Sequence, residues 1–242
     1  LHEKGYYLTG SDNNETDTLK RIRNLGIPVV LGQKAENVEG TELVVYSAAI
    51  AKDNPEIVHA TELGIPTMER SDLLGIITRK YNNVIGVSGT HGKTTTTSMV
   101  SEVLLAGETD PTLSIGGILK SIGGNIRVGK SQYFVTEACE YTNSFLSFFP
   151  RISIILNIEE DHMDFFKDIK EIRSSFHRFA QLLPEDGYLI INSGIEQISE
   201  VTKELSCKVI TFGADTASDY SYTDASFDDM GKASYTLLKN GT

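Results

Sequence analysis

Along the first 80 residues, short apolar runs alternate with stretches whose apolar positions recur at helical spacing. "GYYLTGSD" is an apolar run ending in polar turn residues. "ETDTLKRIRNLG" places Leu19, Ile22 and Leu25 on one helical face before a glycine stop. "IPVVLG" and "ELVVYSAAI" are rich in β-branched residues and read as strands. "NPEIVHATELG" opens with Asn54-Pro55, a helix start, and closes on Gly64. "IPTME" and "SDLLGIITRKY" form another strand–helix pair. Strands alternating with helices predict a parallel sheet with right-handed crossovers.

"RKYNN", residues 79 to 83, is a polar break and places a domain boundary near residue 80. The alternation then restarts. "NVIGVSG" is a strand, 93 to 106 a helix, and "QYFVTEA" and "RISIILNI" are buried strands. Ile169, Ile172, Phe176, Phe179 and Leu183 follow a 3-4-3-4 spacing, so 168 to 183 is an amphipathic helix. "GYLIIN" and "KVITFG" are further strands around a short helix at 195 to 205. The acidic tail from 214 reads as loop leading into a last strand, "ASYTLL". The fold class is therefore α/β, with a restart that separates residues 1–80 from 81–242.

The apolar fraction, 40%, and charged fraction, 23%, are those of a globular chain. The formal net charge of −11 argues against general affinity for nucleic acid or an anionic membrane. An anionic ligand must then be held by a local site acting against that field. No apolar run approaches the roughly 20 residues that cross a bilayer. Cys139 and Cys207 form no disulfide framework, which fits a reducing cytoplasm. Starting at Leu1 and ending in "LLKNGT", the chain reads as a piece cut at both ends.

The candidate chemistry begins at "VIGVSGTHGKTTTTSMV", residues 84 to 100. In the common phosphate loop, G-x-x-x-x-G-K-[ST], backbone amides wrap the phosphates, Lys meets the β/γ oxygens and the hydroxyl joins Mg²⁺. Gly92, Lys93 and Thr94 fit the end of that pattern. Val87 stands where the first glycine belongs, with Gly86 one place early and Gly89 as another flexible point. A strand precedes the loop and a helix follows, so the helix N-terminus faces the anion. The bland alternative is a glycine-rich turn with an incidental lysine.

Glu137 closes the strand "QYFVTE" and His162 follows "RISIILNIEED". Ligands of open α/β sheets collect at the carboxyl ends of strands. Three strand ends thus aim Lys93 with Thr94, Glu137 and His162 at one crevice. Glu137 suits Mg²⁺, which one or two carboxylates and phosphates commonly hold. His162 reads from its chemistry alone as a hydrogen-bonding or proton-handling group. A solvated strand end and a turn-capping histidine are the plain alternatives. Asp161 and Asp164 flank His162 as caps or outer groups. His2, His59 and His177 read as structural or solvent-facing.

"GTHGKTTT" (89 to 96), "EACEYTNSFL" (137 to 146) and "NIEEDHMD" (157 to 164) together resemble the Mur ligase family. "GSD" (10 to 12), "GGILKSIGGNIRVG" (116 to 129) and "RSSFHRFAQLLPEDG" (173 to 187) support it. The resemblance implies an incomplete Rossmann-like N-terminal domain for a UDP-linked substrate, a P-loop-type central ATPase domain with a mostly parallel sheet, and a third, amino-acid-binding domain that the chain lacks. It implies ATP and Mg²⁺ as cofactors, the ATP on Gly89, Thr90, His91, Gly92, Lys93, Thr94 and Thr95. The metals would lie on Thr94, Glu137 and His162, and the catalytic set would be Lys93, Glu137 and His162. Ser11, Asp12, His91 and Asn125 are candidate substrate contacts.

The segments fit best the member that joins L-alanine to UDP-N-acetylmuramate through an acyl phosphate, in the cytoplasm, ahead of the one that recycles murein tripeptide. A nucleotide-binding switch without ligase chemistry is the reading from another class. The piece alone is expected to be inactive. Many relatives carry an acid where Cys139 stands, so Cys139 reads as a small buried filler.

Overall fold

The computed structural model describes residues 1–242, which divide into two units, Leu1–Leu73 and Leu74–Thr242. In the first unit, β1 (Gly10–Asp12), α1 (Asp17–Asn24) and β2 (Val29–Leu31) form one strand–helix–strand crossover. β3 (Val44–Tyr46), α2 (Pro55–Glu62) and β4 (Thr67–Glu69) form a second. β1 pairs with β2 and β3 with β4, both in parallel, as two separate sheets. Thr16 caps α1 by accepting the Leu19 amide, and Asn54 caps α2 by accepting that of Glu56, with Pro55 at the first turn.

α3 (Arg70–Thr78) runs across the division. Contacts thus part the chain at Leu73, earlier than the polar break at residues 79–83. The cause is packing of the end of α3 within the second unit. Thr78 is buried, its hydroxyl takes the Phe149 amide at 3.4 Å, and Arg79 lies 3.9 Å over the Phe149 ring. A Cβ at Gly75 would stand 2.1 Å from the Ser147 carbonyl oxygen, so only glycine fits there.

The second unit is built on one nine-stranded sheet. Its strands are β5 (Asn83–Ser88), β6 (Thr112–Leu119), β7 (Gly124–Arg127), β8 (Tyr133–Glu137), β9 (Ile152–Ile155), β10 (Tyr188–Asn192), β11 (Lys208–Gly213), β12 (Tyr220–Phe227) and β13 (Ala233–Lys239). The spatial order is β13-β12-β11-β10-β9-β5-β8-β6-β7. All neighbours are parallel except the two outermost pairs, β6–β7 and β12–β13. The helices are α4 (Lys93–Ala106), α5 (Ile169–Ala180) and α6 (Ile198–Thr202).

Two apolar clusters flank the sheet. Ile85, Leu113, Ile115 and Val135 pack with Val100 and Leu104 of α4. Ile155, Leu189 and Ile191 pack with Ile172, Phe176 and Phe179 of α5. The stripe expected on residues 168 to 183 is thus a core face, with Asp168 capping its start through the Glu171 amide. Phe145 stacks on Phe179 with centroids 4.5 Å apart. Ile154 and Ile155 serve opposite clusters, as alternation along a strand requires.

Three expectations differ. β6 and β7 lie in the glycine-rich stretch 112 to 127, where Gly116-Gly117 and Gly123-Gly124 cut short the apolar alternation begun at Leu113 and Ile115. β12 occupies part of the tail read as loop: most of it is exposed and its pattern is polar, which hides it in the sequence. The short helix covers Ile198–Thr202, not 195 to 205.

Candidate functional site

β5 has β9 on one side and β8 on the other; from β5 the chain crosses through α4 to β6, beyond β8, whereas from β9 it crosses through α5 to β10 in the opposite direction. This is the topological switch point of the sheet, where a crevice opens beyond the carboxyl ends of the strands. Register places Glu137 opposite Val87 and Ile155 opposite Ser88. The residues after Ser88, Glu137 and Ile155 therefore leave the sheet side by side.

The loop between β5 and α4 is Gly89–Gly92. Gly89 has φ 141° and Gly92 φ 84°, both regions that favour glycine. A Cβ on Gly89 would lie 3.0 Å from Leu156 Cβ. Gly86 is a buried strand residue, where a Cβ would meet Phe179 at 3.3 Å. The early glycine of the motif thus serves packing, and the turn begins at Gly89. Asn157 clamps the loop: its side chain accepts the His91 amide at 2.7 Å and donates to the His91 carbonyl at 3.0 Å. Thr90 is buried and its hydroxyl accepts the Glu159 amide at 2.9 Å. The first amides of α4 have no carbonyl a turn behind them and face outward from the helix start.

The Lys93 ammonium reaches back over this loop. It donates to the Gly89 carbonyl at 2.6 Å, the Thr90 carbonyl at 3.2 Å and both Glu140 carboxylate oxygens at 3.0 Å. The Glu140 side chain is 2% exposed. His162 Nε2 stands 3.8 Å from Glu140 Oε1 and 3.9 Å from Asp161 Oδ2. His162 has φ 53°, and its amide donates to Asp161 at 2.7 Å. Its ring lies on Tyr141, centroids 4.5 Å apart. The Tyr141 hydroxyl donates to Asp164 at 2.8 Å, and that bond is the main reason its phenol is pushed above the usual range.

Glu137 is half-buried and accepts the Gly116 amide at 2.5 Å. A Cβ on Gly116 would fall 2.6 Å from the same carboxylate, and one on Gly117 3.0 Å from the Thr94 methyl. β6 thus passes against both Glu137 and Thr94, a proximity its sequence does not announce. Thr94 and Thr95 are exposed at the start of α4. His91 is exposed, with Nε2 3.8 Å from Glu159.

Lys93 and His162 therefore meet through Glu140, while Glu137 lies on the strand that precedes it. The remaining candidates lie elsewhere. Asn125 is on β7, the sheet edge beyond β6. Ser11 and Asp12 end β1 in the first unit. Cys139 is half-buried beside Glu140, and burial is the largest cause pushing its thiol up. His177 gains a partner the sequence could not name, the Val201 carbonyl at 2.9 Å from Nδ1. Glu140, Tyr141 and Asn157 are the site residues that sequence reasoning missed.

No group of three or more His, Cys, Asp or Glu side chains converges as a ready-made metal cage. A hydroxyl at Thr94, a carboxylate oxygen at Glu137 and the His162 ring nitrogen are nonetheless donors suited to a divalent cation that arrives with phosphate oxygens. No helix is long and apolar enough to cross a membrane.

Along its whole length the chain is similar to the UDP-N-acetylmuramate–L-alanine ligases of Agathobacter rectalis (52% identical over 243 residues) and Lachnospira eligens (53% over 243). It covers 53% of each, so the chain spans about half the length of these curated relatives. Among solved structures, the UDP-N-acetylmuramate:L-alanyl-γ-D-glutamyl-meso-diaminopimelate ligase of Neisseria meningitides aligns with TM-score 0.88 and 26% identity over 99% of this chain and 78% of that one. The UDP-N-acetylmuramate–alanine ligase of Thermotoga maritima aligns with TM-score 0.86 and 29% identity over 99% of this chain and 54% of that one. Residues 1–82 match the model described as Mur ligase family, catalytic domain, and residues 87–241 match the Mur ligase middle domain. That second match runs from the end of β5 into the last residues and contains every strand end of the crevice: the chain belongs to the Mur ligase family.

Proposed function

We propose that the chain carries the nucleotide-binding machinery of an ATP-dependent ligase that joins L-alanine to UDP-N-acetylmuramate in peptidoglycan precursor synthesis. The observation that carries this reading is the arrangement of Lys93, Glu137 and His162 at or beyond the carboxyl ends of the three adjacent central strands β5, β8 and β9. Whole-length identity above 50% to ligases of that name supports the choice of member.

In this reading residues 1–80 serve the UDP-linked substrate and 81–242 form the central ATPase domain. An amino-acid-binding domain follows in the full-length protein. Lys93 neutralises β/γ oxygens of ATP, and amides of Gly89, Thr90, His91, Gly92 and Thr95 line the phosphates. Mg²⁺ bound by Thr94, Glu137 and His162 would screen the repulsion between triphosphate and substrate carboxylate. The carboxylate oxygen attacks the γ-phosphorus and ADP leaves, giving an acyl phosphate. The alanine amine then displaces phosphate and forms the amide. The protein's share is positioning and charge stabilisation. His91, Asn125, Ser11 and Asp12 are substrate contacts in this proposal. ATP and UDP-sugars are cytoplasmic substrates, which places the reaction there.

The neighbour from Neisseria meningitides keeps open a tripeptide as the amine. The test is phosphate release by the full-length protein with UDP-N-acetylmuramate while the amine is varied. Dependence on L-alanine is expected; dependence on tripeptide alone would overturn the choice of member, and no amine dependence the ligase reading.

A further inference from the structure

Lys93 has three ammonium protons, and the protein takes all of them. Two go to loop carbonyls and the third to Glu140, whose two oxygens sit equally at 3.0 Å. Glu140 is almost wholly buried; apart from Lys93, His162 stands 3.8 Å from its carboxylate, and the neighbouring Cys139 thiol, which burial and Glu140 both push up, supplies no positive charge. A buried carboxylate is tolerable only while it is paired. A buried anion placed on the lysine of a phosphate loop has a second effect: it holds the donor that an incoming phosphate needs. An anionic ligand and Glu140 then compete for one cation in a site of low dielectric, where like charges repel strongly.

We propose that Glu140 is the latch of the phosphate loop: a positioning residue that holds Lys93 against the loop and sets the cost of transferring it to phosphate. The loop is kept in shape by an internal counter-ion, and nucleotide binding is an exchange of one anion for another. The cost falls on ligands that reach Lys93 with β and γ oxygens, and spares those that end at the α-phosphate. This inference rests on the reading that the loop binds ATP. A purely structural ion pair makes the opposite prediction, since its loss would loosen the loop and weaken binding.

The test is calorimetric titration of the 242-residue chain with ATP, and separately with AMP, in the presence of Mg²⁺. Glu140→Gln is expected to bind ATP about fivefold more tightly than the unaltered chain, with AMP unchanged within about twofold. In a Lys93→Met background the gain is expected to shrink to within about twofold, because the latch acts through Lys93. Unchanged or weaker ATP binding by Glu140→Gln would overturn the latch, as would an equal gain in the Lys93→Met background. A thermal melt checks that each variant folds. Should Glu140→Gln fail to fold, Glu140→Asp keeps the charge but lengthens the pair, and about twofold tighter binding is expected; equal or weaker binding then overturns the proposal. Failure of the unaltered chain to bind ATP at all would remove the nucleotide reading itself, a distinct result.

Discussion

Each unit places a glutamate among polar partners near the carboxyl end of a strand, and the two are held in opposite ways. In the first unit Glu56 accepts the Ser11 hydroxyl at 2.8 Å and the Asn37 amide at 2.7 Å. Asn37 also donates to the Gly32 carbonyl, and Gln33 joins Asn13 to Asn54. Every donor to the Glu56 side chain is neutral. In the second unit Glu140 is held by an ammonium. A carboxylate satisfied by neutral donors fixes loop shape and has no cation to release. A buried ion pair fixes shape equally well, but its cation can be drawn away by a stronger anion. The first arrangement suits a surface that recognises by geometry, the second one that must respond to charge.

The sharpest way to break this contrast is Lys93→Ala. In the full-length enzyme turnover is expected to fall at least about a thousandfold, read as phosphate release. The folded chain should also lose about 3 kcal/mol in urea unfolding, because Glu140 is left buried without a partner. Combining Lys93→Ala with Glu140→Gln should return most of that stability and none of the activity. Full stability in Lys93→Ala alone would show that the charge of Glu140 is not what makes its burial costly.

Gly116→Ala comes next. Its Cβ would stand 2.6 Å from the Glu137 carboxylate, which must shift. Turnover is expected to drop about tenfold to a hundredfold, with ATP affinity held, since the crowding falls on Glu137 and not on Lys93. A matching loss of affinity would mean that Glu137 also shapes the loop. Glu56→Gln should be milder. It exchanges one acceptor oxygen for a donor and should cost about 1 kcal/mol in stability, with no change in ATP affinity.

The smallest effect concerns Asp219, a carboxylate that is also held by neutral donors. It accepts the Thr211 amide at 2.7 Å and the Thr211 hydroxyl at 2.8 Å, and these bonds, the amide first, hold its carboxyl below the usual range. Its charged form is favoured by folding, so its contribution is present above the ordinary aspartate range. It is lost as pH falls through the lowered value. Stability of Asp219→Asn should therefore fall less steeply with acidification than that of the unaltered chain; parallel curves would remove Asp219 from the acid response.

Much of this was legible along the chain. Continuous apolar runs located β5, β8 and β9, the glycine after residue 106 bounded α4, and a 3-4-3-4 spacing located α5; with them came the strand ends near which Lys93, Glu137 and His162 lie. What stayed hidden depends on distant partners. Glu140 looks like one more acid after a strand, and its meaning comes from a lysine 47 residues away. Asn157 looks like a strand end until it meets His91 across 66 residues. β6 and β7 escaped because glycines that let a backbone pass close to Glu137 and Thr94 also erase apolar alternation. Ser11 stands in the sequence as a candidate substrate contact, and nothing there announces that its hydroxyl donates to Glu56.

The Asn157 clamp has a consequence for the order in which the molecule is made. The phosphate loop is complete in sequence at Gly92, but its shape depends on a side chain from the far side of β9, held there by parallel pairing that no local hairpin can supply. Contacts of such separation form late and slowly. On a ribosome, a chain that has released residues up to 106 holds the whole motif and no finished loop. In the proposed reading of the loop, nucleotide competence arrives only with the segment after β9 that carries Asn157, so a growing polypeptide would not sequester ATP before its central sheet has closed around β5.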